Sequence, residues 1–181
     1  MPAPEPRRYE IRLAGTGGQG VILAGIILAD AAIRDGKNAV QTQSYGPEAR
    51  GGASRSEVVI SAGEIDYPKV LAPDITLCLS QEACDRYSGQ RRENGLLILD
   101  TDHVSRAPTT RAVRIALTSL ARDVTGRAIT ANVVGLGLLA GLTGIVSRES
   151  LEEAVRAQAP AGTERINLKA LTAGYEAAED V

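Results

Sequence analysis

Strands alternating with helices around a glycine-rich turn predict a three-layer α/β/α domain, Rossmann-like, with a mostly parallel, mixed sheet. Three observations carry this expectation. First, the alternating Tyr9-Glu-Ile-Arg-Leu-Ala14 runs into Gly15-Thr-Gly-Gly-Gln-Gly20 and then into an apolar run, 21–32, too long for a strand. Second, the short apolar runs 74–80 and 95–100 have the composition of buried parallel strands, and the polar, helical stretch 81–92 separates them. Third, Phe and Trp are absent beside 19 glycines, so the core must be built from Val, Ile, Leu and Ala in closely approaching elements.

Taken in order, residues 9–14 form a strand, 21–32 a helix closed by Gly36, and 38–44 a second strand, a βαβ unit whose crossover should be right-handed. The turn-rich stretch Tyr45-Gly-Pro-Glu-Ala-Arg-Gly-Gly52 follows, then a strand at 54–61 in which Ser56, Val58 and Ile60 alternate with Arg55, Glu57 and Val59, predicting a half-exposed strand. After the second β-α-β, residues 111–117 add a strand, 118–124 a short helix and 132–145 a buried helix. Ser150-Leu-Glu-Glu153 has capping-box spacing, Pro160 ends that helix, and 167–179 is a last amphipathic one. Residues 1–181 read as one domain, with 1–8 a flexible segment. Ligands of such folds sit at the carboxyl ends of the strands, which here gathers the turn 15–20, the loop 45–52 and Gln81.

Composition limits the function. A net charge of −2 without asymmetry argues against nucleic acid as a partner, and 44% hydrophobic with 23% charged residues is ordinary for a folded domain. The first ten residues carry three prolines and charges instead of a signal-like apolar stretch, so the expected location is cytoplasmic and the cysteines are expected to be reduced. Residues 128–147 contain no charge over the length of a membrane span, but Thr130, Asn132 and four glycines favour a buried, small-faced helix instead.

Gly15, Gly17 and Gly20 fit G-x-G-x-x-G between strand and helix, where the backbone can approach a phosphate at the helix N-terminus. A dinucleotide site also needs an acid at the end of the second strand, and Val40-Gln-Thr-Gln-Ser44 has none, which disfavours an NAD-dependent dehydrogenase. The turn therefore serves another anionic ligand or is structural. Arg50 either grips phosphate by bidentate hydrogen bonds, or pairs with Glu48 or a partner subunit while Gly51 and Gly52 merely allow a bulge or turn. Asn132 reads as a helix cap and Gln81 as solvent-exposed unless a ligand lies near. Cys78 and Cys84 read as buried small hydrophobes, His103 as part of an exposed turn, and Glu149, Glu152 and Glu153 as a solvated face, so no metal site and no complete catalytic set is expected.

Gly15-Thr-Gly-Gly-Gln-Gly-Val-Ile-Leu-Ala-Gly25, Ser44-Tyr-Gly-Pro-Glu-Ala-Arg-Gly-Gly-Ala-Ser54, Ile65-Asp-Tyr-Pro68 and Leu79-Ser-Gln-Glu-Ala83 together closely resemble the gamma subunit of 2-oxoacid:ferredoxin oxidoreductases, the 2-oxoglutarate branch fitting best. The resemblance covers nearly the whole chain and implies the fold of domain III of pyruvate:ferredoxin oxidoreductase. It implies an assembly with alpha and beta subunits, and a ferredoxin-like delta subunit in some cases, that carry thiamine pyrophosphate, Mg and [4Fe-4S] clusters. Such an assembly converts a 2-oxoacid, coenzyme A (CoA) and oxidised ferredoxin into acyl-CoA, carbon dioxide and reduced ferredoxin. Carried onto this chain, it implies Gly17, Gly18, Gln19 and Gly20 contacting CoA, Arg50 with Gly51 and Gly52 at a phosphate, and Gln81 and Asn132 closing the pocket. Fused relatives place lysines where this chain has Glu48-Ala-Arg50, which leaves Arg50 alone to supply charge there. The competing readings are a stand-alone CoA- or nucleotide-binding module and the small subunit of an indolepyruvate:ferredoxin oxidoreductase.

Overall fold

The computed structural model describes residues 7–44, 52–108 and 111–181. The expectations for Arg50 and Gly51 therefore lie outside the described residues. In chain order the elements are β1 (Arg8–Thr16), α1 (Val21–Arg34), β2 (Asn38–Ser44), β3 (Ala53–Ser61), β4 (Ile75–Cys78), α2 (Gln81–Tyr87), β5 (Leu96–Asp100), β6 (Val113–Ile115), α3 (Leu117–Thr125), α4 (Ala131–Thr143), α5 (Arg148–Gln158) and α6 (Glu164–Glu179). The strands form one sheet in the order β2-β3-β1-β4-β5-β6. β1, β4, β5 and β6 are parallel, while β3 is antiparallel to β1 and to β2. β1 and β2 thus run the same way but do not touch, because β3 inserts between them.

The helical layers are unequal. Ile11, Leu13, Val58, Ile60, Ile75 and Leu77 share the main core with α1, α3, α4, α5 and α6. The opposite face holds two small clusters under and beside α2, one of Cys78, Cys84, Leu97, Leu99 and Val104, the other of Ala14, Ala53, Ala83 and Tyr87. That thin layer follows from the sequence, because α2 spans only Gln81–Tyr87 before a 3-10 turn at Ser88–Gln90, where the polar stretch predicts a helix to residue 92.

Burial of β3 is a correction. The alternation does assign its residues to two faces, but both faces are covered: Ser56 sits under Gly25 of α1 and accepts a hydrogen bond from Gln41, and Glu57 is 9% exposed beside Arg12. A polar residue in an interior strand is tolerated when it has a partner. The charge-free segment after residue 128 is α4, ten of whose residues are buried, and no described helix is long and apolar enough to cross a membrane.

A second correction concerns α5, which starts a turn earlier than the expected capping box at Ser150. Ser147 is the cap, its hydroxyl accepting from the Ser150 N–H at 3.2 Å. Asp35, just past α1, explains the shift, since its carboxylate accepts from the Ser147 N–H at 2.7 Å and the Ser147 hydroxyl at 2.6 Å. Burial pushes the Asp35 carboxyl up, but the Ser147 and Ser150 hydrogen bonds and the nearby Lys37 bring it below its ordinary value. A lowered carboxyl stabilises the fold above its unfolded value of about 4 and loses that contribution as pH falls through the folded value. Asp35→Asn should therefore cost about 1–2 kcal/mol at neutral pH. In urea melts, the gap from the wild type should stay constant down to about pH 4 and close only at lower pH.

Candidate functional site

β1 is the point at which the chain switches direction across the sheet, with β3 on one side and β4 on the other. The carboxyl ends of β1 and β4 therefore flank the crevice where open α/β sheets bind ligands. Residues 15–20 turn there into α1, whose first residues have no side-chain cap. Uncapped N–H groups and the positive end of a 14-residue helix favour an anion.

Two amides fix the turn. Gln19 Oε1 accepts from the Thr16 N–H at 2.7 Å, and Gln19 Nε2 donates to the Leu79 carbonyl at 2.8 Å, fastening the turn to the end of β4. Asn132 Nδ2 donates to the Gly20 carbonyl at 2.9 Å, fastening the other side to α4. This changes the expected cap role of Asn132: it is the second residue of α4 and braces the turn, while α4 has no side-chain cap. Gly20 is required by the fold, with φ +71° and no room for a Cβ beside Asn132 Nδ2. Gly17 is under no such demand. Its φ is not in the left-handed region, and a Cβ there would meet nothing within 4 Å.

Beside the turn lies a cavity of about 310 Å³ lined by Gln19, Leu79, His103, Thr118, Ile129 and Ala131. Its far wall is set by Asp100, fully buried at the end of β5, which accepts from the Thr118 hydroxyl at 2.5 Å and the Thr118 N–H at 3.3 Å and so seats the start of α3. Asp102 does the same for Ser119. Gln81 faces elsewhere. Its Oε1 accepts from the Ser105 and Arg106 N–H groups and its Nε2 donates to Asp85 and the Arg106 carbonyl, so it straps the loop after β5 onto α2.

Of the expected site residues, Gly17, Gly18, Gln19, Gly20 and Asn132 come together, Gly52 lies just before β3, and Gln81 is spent on the strap. The sequence reading missed the cavity wall at Leu79, Thr118 and Ile129. It had no signal for it, since Leu79 and Ile129 look like core and Thr118 like the start of a helix. His103 is exposed, as expected, and also reaches the cavity. Cys78 and Cys84 are both free and buried; Cys78 donates to Cys84, which pushes Cys78 well up and, with burial opposing, holds Cys84 at about 7. Among the described residues no group of three or more His, Cys, Asp or Glu is placed to hold a metal ion.

Fold and site together define an α/β domain with a mixed sheet and a glycine-rich turn that leads into α1 at the carboxyl end of β1. Known proteins fit this class. A family profile described as pyruvate ferredoxin/flavodoxin oxidoreductase matches residues 10–177, and the chain belongs to that family. It is similar to the 2-oxoglutarate synthase subunit KorC of Methanocaldococcus jannaschii, 52% identical and covering 96% of either chain. The crystal structure of the gamma subunit of a keto/oxoacid ferredoxin oxidoreductase from Geobacter sulfurreducens superposes with a TM-score of 0.88 at 47% identity, over 96% of this chain and 98% of that one. A 2-oxoglutarate:ferredoxin oxidoreductase from Magnetococcus marinus, solved with 2-oxoglutarate, CoA and succinyl-CoA bound, shares the fold at 22% identity and a TM-score of 0.85, over 98% of this chain and 32% of that one.

Proposed function

We propose that this chain is the gamma subunit of a cytoplasmic 2-oxoglutarate:ferredoxin oxidoreductase and presents its glycine turn to CoA. Thiamine pyrophosphate, Mg and [4Fe-4S] clusters, and with them the carbon and electron chemistry, belong in this reading to alpha, beta and, where present, delta subunits. The 52% identity to a 2-oxoglutarate synthase subunit along almost the entire length supports the branch. The observation that carries the CoA assignment is the division of labour at the turn. Gln19 and Asn132 spend their amides on holding the backbone, and Gly17 is left as a glycine without internal cause. A bare backbone at a helix N-terminus is what a diphosphate needs for close approach. The apolar cavity next to it suits a pantetheine arm.

The test is capture of the tagged full chain from its native extract under anaerobic conditions. The proposal expects brown, thiamine-binding partners that reduce ferredoxin only when 2-oxoglutarate and CoA are both present. Recovery of a colourless chain alone that still binds CoA would replace it with a stand-alone CoA module. Reduction driven by indolepyruvate in place of 2-oxoglutarate would move the chain to that branch.

A further inference from the structure

The two edges of the sheet are built differently. β6 closes one side with three residues, Val113–Ile115, and carries Arg114 at its centre. Short, charged edges of this kind resist the addition of another strand. β2 closes the other side with seven residues, Asn38–Ser44, and has neither a charge nor a proline. It pairs with β3 along one edge, and among the described residues no strand pairs with the other.

The helix beside that edge is bare on the same side. α1 lies over β2 and β3, with Gly25 facing the sheet at Ser56 and Gln41. α4 and α5 both pack against α1 and against α6, so the helical neighbours of α1 lie on its β1 side, where Ala24, Ile27 and Ala31 are buried. Ile22, Ile26, Ala29 and Ile33 recur at helical spacing on the opposite side, toward β2. Of these, Ile26 and Ile33 are 37% and 58% exposed. Charge on α1 is turned away from this stripe, since Arg34 bonds Asp30 and, in α5, Glu153.

An apolar helix stripe beside an unprotected strand edge is a docking surface, and its charge pattern selects the occupant. At a two-fold interface each residue near the axis faces its own copy, so a charge there repels itself. A different subunit sets no such condition, and charges on the edge would then help to select it. Antiparallel pairing of two β2 strands centred on Gln41 puts the nearest charge along the chain, Lys37, eight strand residues from its copy. That is roughly 26 Å, beyond the screening length of about 8–10 Å. The same two-fold keeps both α1 helices on one face of the joined sheet. They run antiparallel about 10–14 Å apart at strand spacing, near the separation of about 8–10 Å of packed helices. Gly25 stands over Gln41, so Ile26 falls at the axis and Ile22 of one copy faces Ala29 of the other. We propose that β2 and the α1 stripe form a two-fold interface with a second copy of this chain, joining two six-stranded sheets into one.

Size-exclusion chromatography with light scattering, run on the full chain over a concentration series, tests it. The variants are Ile26→Glu and Val40→Lys, one on either face of the joined sheet, with Val124→Glu on α3 as a control at another exposed apolar position. The wild type and Val124→Glu should approach twice 18.9 kDa as concentration rises, and the two interface variants should self-associate about 10-fold more weakly or less. Ile26 is already partly exposed, so Ile26→Glu should keep a melting midpoint within a few degrees of the wild type. A monomer at every concentration would overturn the proposal. So would a dimer that both variants leave intact, which would put the contact on another face. A monomeric wild type that captures other subunits of the assembly, with capture lost in both variants, would overturn the second copy as occupant and give the edge to a different subunit. None of these outcomes bears on the CoA reading.

Discussion

Gly174→Ala is expected to cost about 3 kcal/mol or more, the upper part of the range for forcing a methyl group into a close-packed interface. In α6, Gly174 lies directly against the backbone of α4: a Cβ there would intrude on the Val134 carbonyl oxygen, lie 2.7 Å from the Leu138 nitrogen and 2.9 Å from the Gly137 Cα. Gly137 of α4 is the mirror case, blocked by the Leu171 carbonyl and the Gly174 Cα. These obstacles are backbone atoms in two helices, so no side-chain rotation relieves them; the helices must separate. Since α4 is buried on almost all sides and joins α1, α3 and α6 in one core, separation would be felt throughout that layer. Thermal unfolding should fall by roughly 6–12 °C. Gly36→Ala would be a poor control because its φ is positive, whereas Gly89→Ala, with open space and an ordinary φ, should leave the midpoint nearly unchanged.

That interface also shows what the sequence could and could not say. The glycine content and missing large aromatics imply close approach of elements, and the charge-free run after residue 128 implies a buried helix; both follow from volume and charge alone. Which glycines meet is a tertiary matter. The same holds for β3, where alternation separates two faces correctly but cannot reveal that β3 lies between β1 and β2 rather than at an edge. Glu57 read as part of a half-exposed strand for that reason, and its partnership with Arg12 spans 45 residues of sequence. The turn at 15–20 was legible because Gly18 and Gly20 follow from local backbone geometry. The roles of Gln19, Asn132 and Gln81 were not, since an amide that braces a turn and one that binds a ligand have the same sequence signature.

Glu57→Ala would leave the buried Arg12 guanidinium without its carboxylate, so a large loss of stability is expected.

Gly17→Val is expected to abolish most CoA binding and leave folding untouched, the opposite pattern to Gly174→Ala. Its φ lies outside the left-handed region and a Cβ there would meet nothing within 4 Å, so the melting midpoint should stay within about 1 °C of the wild type. The cost falls on the ligand instead. A branched side chain standing between the turn and a diphosphate would forfeit one or two charge-assisted hydrogen bonds of about 1.5–3 kcal/mol each, roughly a 100-fold loss of affinity. In the assembled enzyme this should appear as a raised KM for CoA with the 2-oxoacid KM unchanged, because the substitution touches only the turn. Asn132→Ala offers the complementary result: it removes the brace on the Gly20 carbonyl, so both the midpoint and CoA affinity should decline together. A Gly17→Val chain that binds CoA as well as the wild type would show that this glycine faces open solvent or a neighbouring subunit, and the turn would then be an architectural element of the assembly instead of a ligand cradle.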